Sequence, residues 1–166
     1  MGRAGSPAPR LNARPVHRLR PSRRHPLARV AVDFEMLVAV VIRQSNQIFA
    51  AKRKEGGGSG LKWEFPGGKI ELGETPKEAL QREIYEELSI DVSVGKCLGT
   101  FITPLDKYLI HLQCFWCATE QMDVTLSSHT ETGWFSAQEL LNLDWALPDV
   151  PALSLVLKAI TACNDT

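Results

Sequence analysis

The chain has 166 residues, long enough for one domain with a full core, and its 19 basic and 19 acidic side chains cancel. The neutral total hides an asymmetry: residues 1–35 hold eight Arg against two acids, and the remainder holds eleven basic against seventeen acidic residues, a net of −6. That acidic remainder argues against a general nucleic-acid-binding surface, so no direct nucleic-acid binding is expected, and no apolar run approaches the roughly 20 residues that span a bilayer.

The first 29 residues are rich in Arg and Pro and contain no acid. The charge pattern is that of a mitochondrial transit peptide, but Pro7, Pro9, Pro15, Pro21 and Pro26 break the amphipathic helix such a signal forms. A disordered tail over 1–35 with no catalytic role is therefore expected, with a reading frame that truly starts at Met36 as the other plain reading. The folded domain is placed at 36–163. Cytoplasmic residence is expected, and mitochondrial targeting is the lesser alternative.

Leu37–Arg43 (LVAVVIR) reads as a buried strand rich in β-branched residues. Gln44–Gln47 turns, and Ile48–Arg53 returns as a second strand. Glu55–Gly60 (EGGGSG) is a flexible loop; it is not a phosphate-binding P-loop, because no Gly-Lys-Ser/Thr follows. Trp63-Glu64-Phe65 is short and extended and ends at Pro66-Gly67-Gly68. Thr75 then has the marks of a helix N-cap, with Pro76 at the first helical position and Glu78 three residues on. Ala79, Leu80, Ile84 and Leu88 give that helix an apolar side. Val92–Ile102 and Lys107–Thr119 read as long strands and Glu131–Phe135 as a short one. Ser136 with Glu139 opens a short helix to about Leu143, and Pro151–Cys163 forms a final helix. This order predicts a mixed α/β sandwich. Of the four cysteines, Cys114 and Cys117 fall on opposite faces of one strand and have no second pair to complete a zinc site. All four are read as free thiols of a reducing compartment.

The chemistry concentrates between Gly68 and Ile90, GKIELGETPKEALQREIYEELSI. Glu83, Glu86 and Glu87 are related by i, i+3 and i+4 and so share one helix face, where like charges repel. A divalent cation with oxygen ligands accounts for the three together. The competing view, a solvated acidic helix paired through Arg82–Glu86 and Lys77–Glu74 or Glu78, leaves the Pro-Gly-Gly-Lys lead-in unexplained.

Gly68, Glu74, Arg82, Glu83, Ile84, Glu86, Glu87 and Ile90 match the Nudix box, and on those residues the chain resembles the Nudix hydrolases. One position departs: Ser89 stands where the family has a helix-ending Gly, and Ser adopts the left-handed conformation at modest cost. The resemblance implies a Nudix fold, a mixed β-sheet sandwiched between α-helices. It implies Glu83, Glu86 and Glu87 as ligands of Mg²⁺ or Mn²⁺, completed by the Gly67 carbonyl. It gives Arg82 the task of orienting a glutamate through a bidentate pair. Glu74 is an orienting partner or a charge that favours the helix N-terminus, Gly68 is structural, and Lys69 is placed to meet phosphate.

The flanks Trp63–Glu71 and Asp144–Pro151 resemble the MutT-type nucleoside triphosphate pyrophosphatases. That implies a nucleotide substrate, with Asp149 at the base edge, Phe65 lining the base pocket and Arg53 near base or sugar-phosphate. The alternative for Asp149 is a turn or cap before the last helix. The expected substrate is 8-oxo-dGTP, with CTP, dCTP or a modified pyrimidine as the near alternative and a non-catalytic binding module as the alternative of another class. Many relatives have a Glu where this chain has Ser128. Glu131, Glu86 and Glu87 are then the candidates to activate water, and Glu131 also a candidate ligand. His129 is expected to be a satisfied surface or strand-edge residue.

Overall fold

The computed structural model describes residues 33–121 and 123–162. The Arg/Pro-rich residues 1–32 and Cys163 lie outside them. Strand β1 runs Asp33–Gln44, β2 Gln47–Arg53, β3 Trp63–Glu64 and β4 Gly67–Lys69. Helix α1 (Pro76–Leu88) follows, then β5 (Ser93–Pro104), β6 (Tyr108–Ala118), β7 (His129–Phe135), α2 (Ala137–Leu140), a 3-10 turn (Leu147–Asp149) and α3 (Val150–Ala162).

Among the described residues seven strands form one sheet in the order β3-β2-β1-β6-β5, with β4 on β1 and β7 on β2. β1 is the strand everything else depends on. It runs parallel to β6 from Asp33 beside Tyr108 to Ile42 beside Cys117, and antiparallel to β4 and β2. The sheet is therefore mixed, as the sequence predicts. Its first strand begins at Asp33, three residues earlier than the expected domain boundary, because Asp33, Phe34 and Glu35 find partners on β6.

The side chains of β1 alternate between two cores. Val38, Val40 and Ile42 face α1 with Leu80, Ile84, Leu88 and Phe115. Ala39 and Val41 face the other way, with Ile48, Phe65, Cys114, Val156 and Ile160 against α3 and Leu140 of α2. Cys114 and Cys117 thus sit on opposite faces, both buried and free, and burial raises the Cys114 thiol's pKa and pushes that of Cys117 up to about 12. Both are inert thiols at neutral pH. Cys97 is exposed and free.

Local chemistry sets the ends of α1. The Thr75 hydroxyl accepts the Glu78 N–H and the Glu78 side chain accepts the Thr75 N–H, with Pro76 at the first turn. At the other end Ser89 takes the left-handed conformation (φ 57°, ψ 35°), and its N–H bonds the Tyr85 carbonyl. The serine does what the usual glycine does. Helix α2 stops at Leu140 rather than near Leu143. Asn142 N–H closes a tighter bond to Glu139 O (3.0 Å), and the Leu140 carbonyl accepts the Trp145 indole N–H (2.8 Å). No described helix is long and apolar enough to cross a membrane.

Leu80 is fully buried between α1 and the sheet. Replacing Leu80 with Ala should lower unfolding free energy by about 2–5 kcal/mol, read from the urea midpoint. A loss below about 1 kcal/mol would mean that α1 is not docked as described.

Candidate active site

Two glycines bring α1 to the sheet. A Cβ on Gly67 would lie 1.9 Å from the Val38 carbonyl oxygen, and one on Gly68 would lie within 2.5 Å of the Glu83 carboxylate. Neither position has room for a side chain, so β4 packs directly on β1 and beneath the acidic face of the helix. Val40 N–H to Pro66 O (2.8 Å) and Ile70 N–H to Met36 O (2.9 Å) extend the join at both ends.

Arg82 organises the acidic groups. Its Nε and Nη2 donate to the two Glu74 oxygens (2.6 and 2.9 Å), Nη2 also to the Lys69 carbonyl (2.9 Å) and Nη1 to Glu83 Oε1 (2.9 Å). Glu86 Oε2 is 3.5 Å from Nη1. The expected bidentate pair is thus made with Glu74. The Arg82 hydrogen bonds, helped by the Glu71 N–H, draw the Glu74 carboxyl's pKa down to about 2. Those to Glu74, helped by Glu83, outweigh burial and raise that of the guanidinium.

Glu87 is held differently. Oε1 accepts the Ser128 hydroxyl (2.8 Å) and Oε2 the Gly67 N–H (3.3 Å). Burial raises its pKa against the pull of His129 and the Ser128 bond. One guanidinium among Glu74, Glu83, Glu86 and Glu87 leaves excess negative charge, and three of these carboxylates, Glu83, Glu86 and Glu87, are carried by one helix. Such a set fits a hard divalent cation.

Arg82, Glu83, Glu86 and Glu87, but not Glu74, line one end of a cleft of about 570 Å³ that also takes in Arg53, Lys69, Phe65 and Asp149. At the far end Phe65 packs on Trp145 (ring centroids 4.7 Å apart) and its N–H donates to Asp149 Oδ1 (2.9 Å). Asp149 belongs to the 3-10 turn ahead of α3 and is 5% exposed. Burial, with Glu64 nearby, raises its carboxyl's pKa well above the ordinary value, against the Phe65 N–H and Arg53. Arg53 Nη1 bonds both Glu64 oxygens (3.2 and 2.9 Å). The Lys69 ammonium meets Glu35 at 2.8 Å on an exposed rim.

Two expectations need correction. Glu131 does not join the cluster: it pairs with Lys52 Nζ at 2.9 Å, more than half exposed, and is no part of the cleft wall. His129 is not at the surface. It is 2% exposed, with Nε2 2.8 Å from Glu64 Oε1. Glu64 has no role assigned from the sequence, although an acid flanked by Trp63 and Phe65 in a short strand is a signal of a buried, paired charge. Donor atoms of Glu64, Glu87 and His129 lie within 4.8 Å of one another. The hydrogen bonds among Glu64, His129, Ser128 and Glu87 account for that closeness. The loop Gly56–Ser59 also lines the cleft, which its composition alone does not reveal.

Residues 34–156 match the family model described as NUDIX domain. The chain is 31% identical over 117 residues to a CTP pyrophosphohydrolase of Escherichia coli K12, covering 70% of this chain and 87% of that one. It is 46% identical over 61 residues to an 8-oxo-dGTP diphosphatase of Proteus vulgaris, covering 37% of this chain and 54% of that one. The solution structure of a MutT protein of the Nudix hydrolase family, from methicillin-resistant Staphylococcus aureus 252, superposes with a TM-score of 0.64 at 36% identity, covering 77% of this chain and 98% of that one.

The raised pKa of Asp149 has a consequence for stability. A carboxyl whose folded pKa lies above its unfolded value of about 3.9 favours folding most when protonated, and that contribution is lost as pH rises through the folded pKa. Asp149→Asn, which keeps the acceptor for Phe65 N–H, should therefore gain in Tm over the parent as pH rises from about 4 toward 8. Thermal melts at a series of pH values check this; a difference that stays constant across the series rejects it.

Proposed function

From the premise that the chain belongs to the Nudix hydrolase family, enzymes that cut phosphoric anhydrides, we propose a Mg²⁺- or Mn²⁺-dependent nucleoside triphosphate pyrophosphohydrolase whose favoured substrate is 8-oxo-dGTP. The observation that carries the reading is the cleft itself. One end is crowded with carboxylates, and the other closes on Phe65 and a buried carboxyl. A triphosphate suits the first end, through bridging cations, and a nucleobase the second.

The cation would be held by Glu83, Glu86, Glu87 and the Gly67 carbonyl. Bound there, it supplies charge neutralisation for the phosphate oxygens and acidifies water. Arg82 keeps Glu83 and Glu74 in place. A carboxylate of the cluster, Glu86 or Glu87, accepts a proton from water as its oxygen attacks the β-phosphorus. The bond from that phosphorus to the bridging oxygen breaks, and the nucleoside monophosphate leaves with diphosphate as the second product. Arg53, in the cleft wall and bonded to Glu64, would meet the base or the sugar-phosphate, and Lys69 at the rim would meet phosphate by exchanging Glu35 for it.

Asp149 carries the base selection. Protonated, its Oδ2 donates while Oδ1, with a second lone pair beside the Phe65 N–H bond, accepts. 8-Oxoguanine offers the complementary pair, O6 and N7–H; guanine sets the bare N7 against Oδ1. Cytosine offers the same pair in N3 and its amino group. CTP or dCTP is therefore the second reading, favoured by the likeness to the E. coli CTP pyrophosphohydrolase over 87% of that protein. Clearing mutagenic precursors from the nucleotide pool is the role the first reading implies.

The test is a competition among 8-oxo-dGTP, dGTP, CTP and 5-substituted dCTP with Mg²⁺, with diphosphate and phosphate both quantified. A kcat/KM preference for 8-oxo-dGTP over dGTP of about two orders, roughly 2.7 kcal/mol, with diphosphate released supports the first reading. Preference for the cytosine substrates supports the second, and no turnover of any rejects both. Chelation should abolish activity, and Glu83→Gln should lower kcat by about two orders of magnitude or more, since the cation's charge stabilisation amounts to several kcal/mol. Unchanged turnover in Glu83→Gln would remove that residue from the site.

A further inference from the structure

Glu87 differs from the other acids of the cluster in what holds it. Glu74 and Glu83 are fixed by a cation, Arg82. Glu87 is fixed by neutral donors, the Ser128 hydroxyl on Oε1 and the Gly67 N–H on Oε2. With one donor on each oxygen the carboxylate plane is set. Neither of these two hydrogen-bond donors is a cation.

The segment that delivers the hydroxyl is tied to the same helix. Thr125 N–H donates to Leu88 O (2.9 Å), Ser127 N–H to Glu87 O (3.1 Å) and Ser127 Oγ to Glu86 O (2.9 Å). These bonds satisfy carbonyls that the end of α1 would otherwise leave without partners. Ser128 is therefore tied to the last turn of the helix that carries Glu87. Behind it stands a buried string. His129 Nδ1 is 3.4 Å from Ser128 Oγ, His129 Nε2 is 2.8 Å from Glu64 Oε1, and Glu64 is held by Arg53. Nε2 thus faces the Glu64 carboxylate and Nδ1 faces the Ser128 hydroxyl. The single Ser128 proton goes to the shorter and charged acceptor, Glu87.

We propose that Ser128 is a positioning residue for Glu87, backed by His129, Glu64 and Arg53, which aims the free lone pairs of that carboxylate into the cleft and sets its affinity for a divalent cation. The inference rests on the hydrolase reading above for its consequence in turnover, but not for its consequence in cation binding. A hydroxyl suits the task because it orients the carboxylate without neutralising it, as Arg or Lys would.

The experiment compares Ser128→Ala, Ser128→Cys and Ser128→Thr in the full chain. Calorimetric titration with Mn²⁺ alone, kcat and KM for the best nucleoside triphosphate, and Tm are measured on each. Ser128→Ala should weaken Mn²⁺ binding and lower kcat by about tenfold each, with KM changed by no more than about twofold. Ser128→Thr, which keeps the hydroxyl, should hold both within about twofold of the parent. Ser128→Cys, close in shape with a weak donor, should show the loss even where the alanine variant fails to fold. A fall in Tm with Mn²⁺ affinity and kcat intact, or a threonine variant as poor as alanine, overturns the proposal. If the parent binds Mn²⁺ but hydrolyses no nucleoside triphosphate, the functional reading fails while the binding comparison still decides the role of Ser128. If the parent binds no Mn²⁺, both fall.

Discussion

Charge crowding around Arg82 is the constraint on which the rest of the site depends. Two carboxylates 4 Å apart repel by about 4 kcal/mol at an effective dielectric constant near 20. This chain places Glu83, Glu86 and Glu87 on one helix face, with Glu74 against them. Arg82 bonds Glu74 with two donors and Glu83 with another, and its contact with the Lys69 carbonyl ties the helix to the strand before it. The planar fork of guanidinium donors makes this division possible; an ammonium in its place would bind as a point charge and lose the register between loop and helix. One positive charge does not balance the group. The protein thus holds the acids together while leaving the residual charge that a cation-dependent chemistry needs.

The sheet contributes the second half of the design. β1 must lie against β6 on one edge and β4 on the other while sending alternate side chains into two cores. Only because Gly67 and Gly68 lack side chains does β4 approach β1 closely enough, with the Glu83 carboxylate resting where a Cβ would be. The same strand break leads through Phe65 to Asp149, so the acidic end of the cleft and its apolar end are positioned by a run of five residues, 64–68. Packing and function are inseparable there: a change that loosens β4 would misplace both ends at once.

Most of the scaffold was legible because it is written in local chemistry. The Thr75 and Ser136 capping boxes, the apolar stripe of α1 and the buried β-branched run of β1 all act over a few residues, and each is found in the structure. The resemblance to the Nudix box located Arg82 and the glutamates. What local reading could not supply was partnership at a distance. Glu64 and His129 are 65 positions apart, and although the aromatic neighbours of Glu64 mark it as buried, nothing local names its partner. The Ser128–Glu87 bond spans 41 positions. Likewise, the early end of α2 depends on Trp145 competing for a helix carbonyl.

His129 and Glu131 show how small a feature separates a buried residue from an exposed one. Strand residues two apart normally share a face, so His129 and Glu131 ought to point the same way. Instead the pairing slips between Lys52 and Arg53: Glu131 lies opposite Lys52, and His129 opposite Arg53, so β7 advances two residues while β2 advances one. Such a bulge reverses the alternation. It turns Glu131 out to an ion pair with Lys52 and turns His129 in against Glu64. A buried imidazole beside a carboxylate is satisfied, whereas an unpaired glutamate in its place would put another negative charge beside Glu64 and Glu87 at high cost. The bulge thereby decides which side chain of β7 faces the cluster, and Ser128, one residue before the strand, is the residue of this segment that bonds the Glu87 carboxylate.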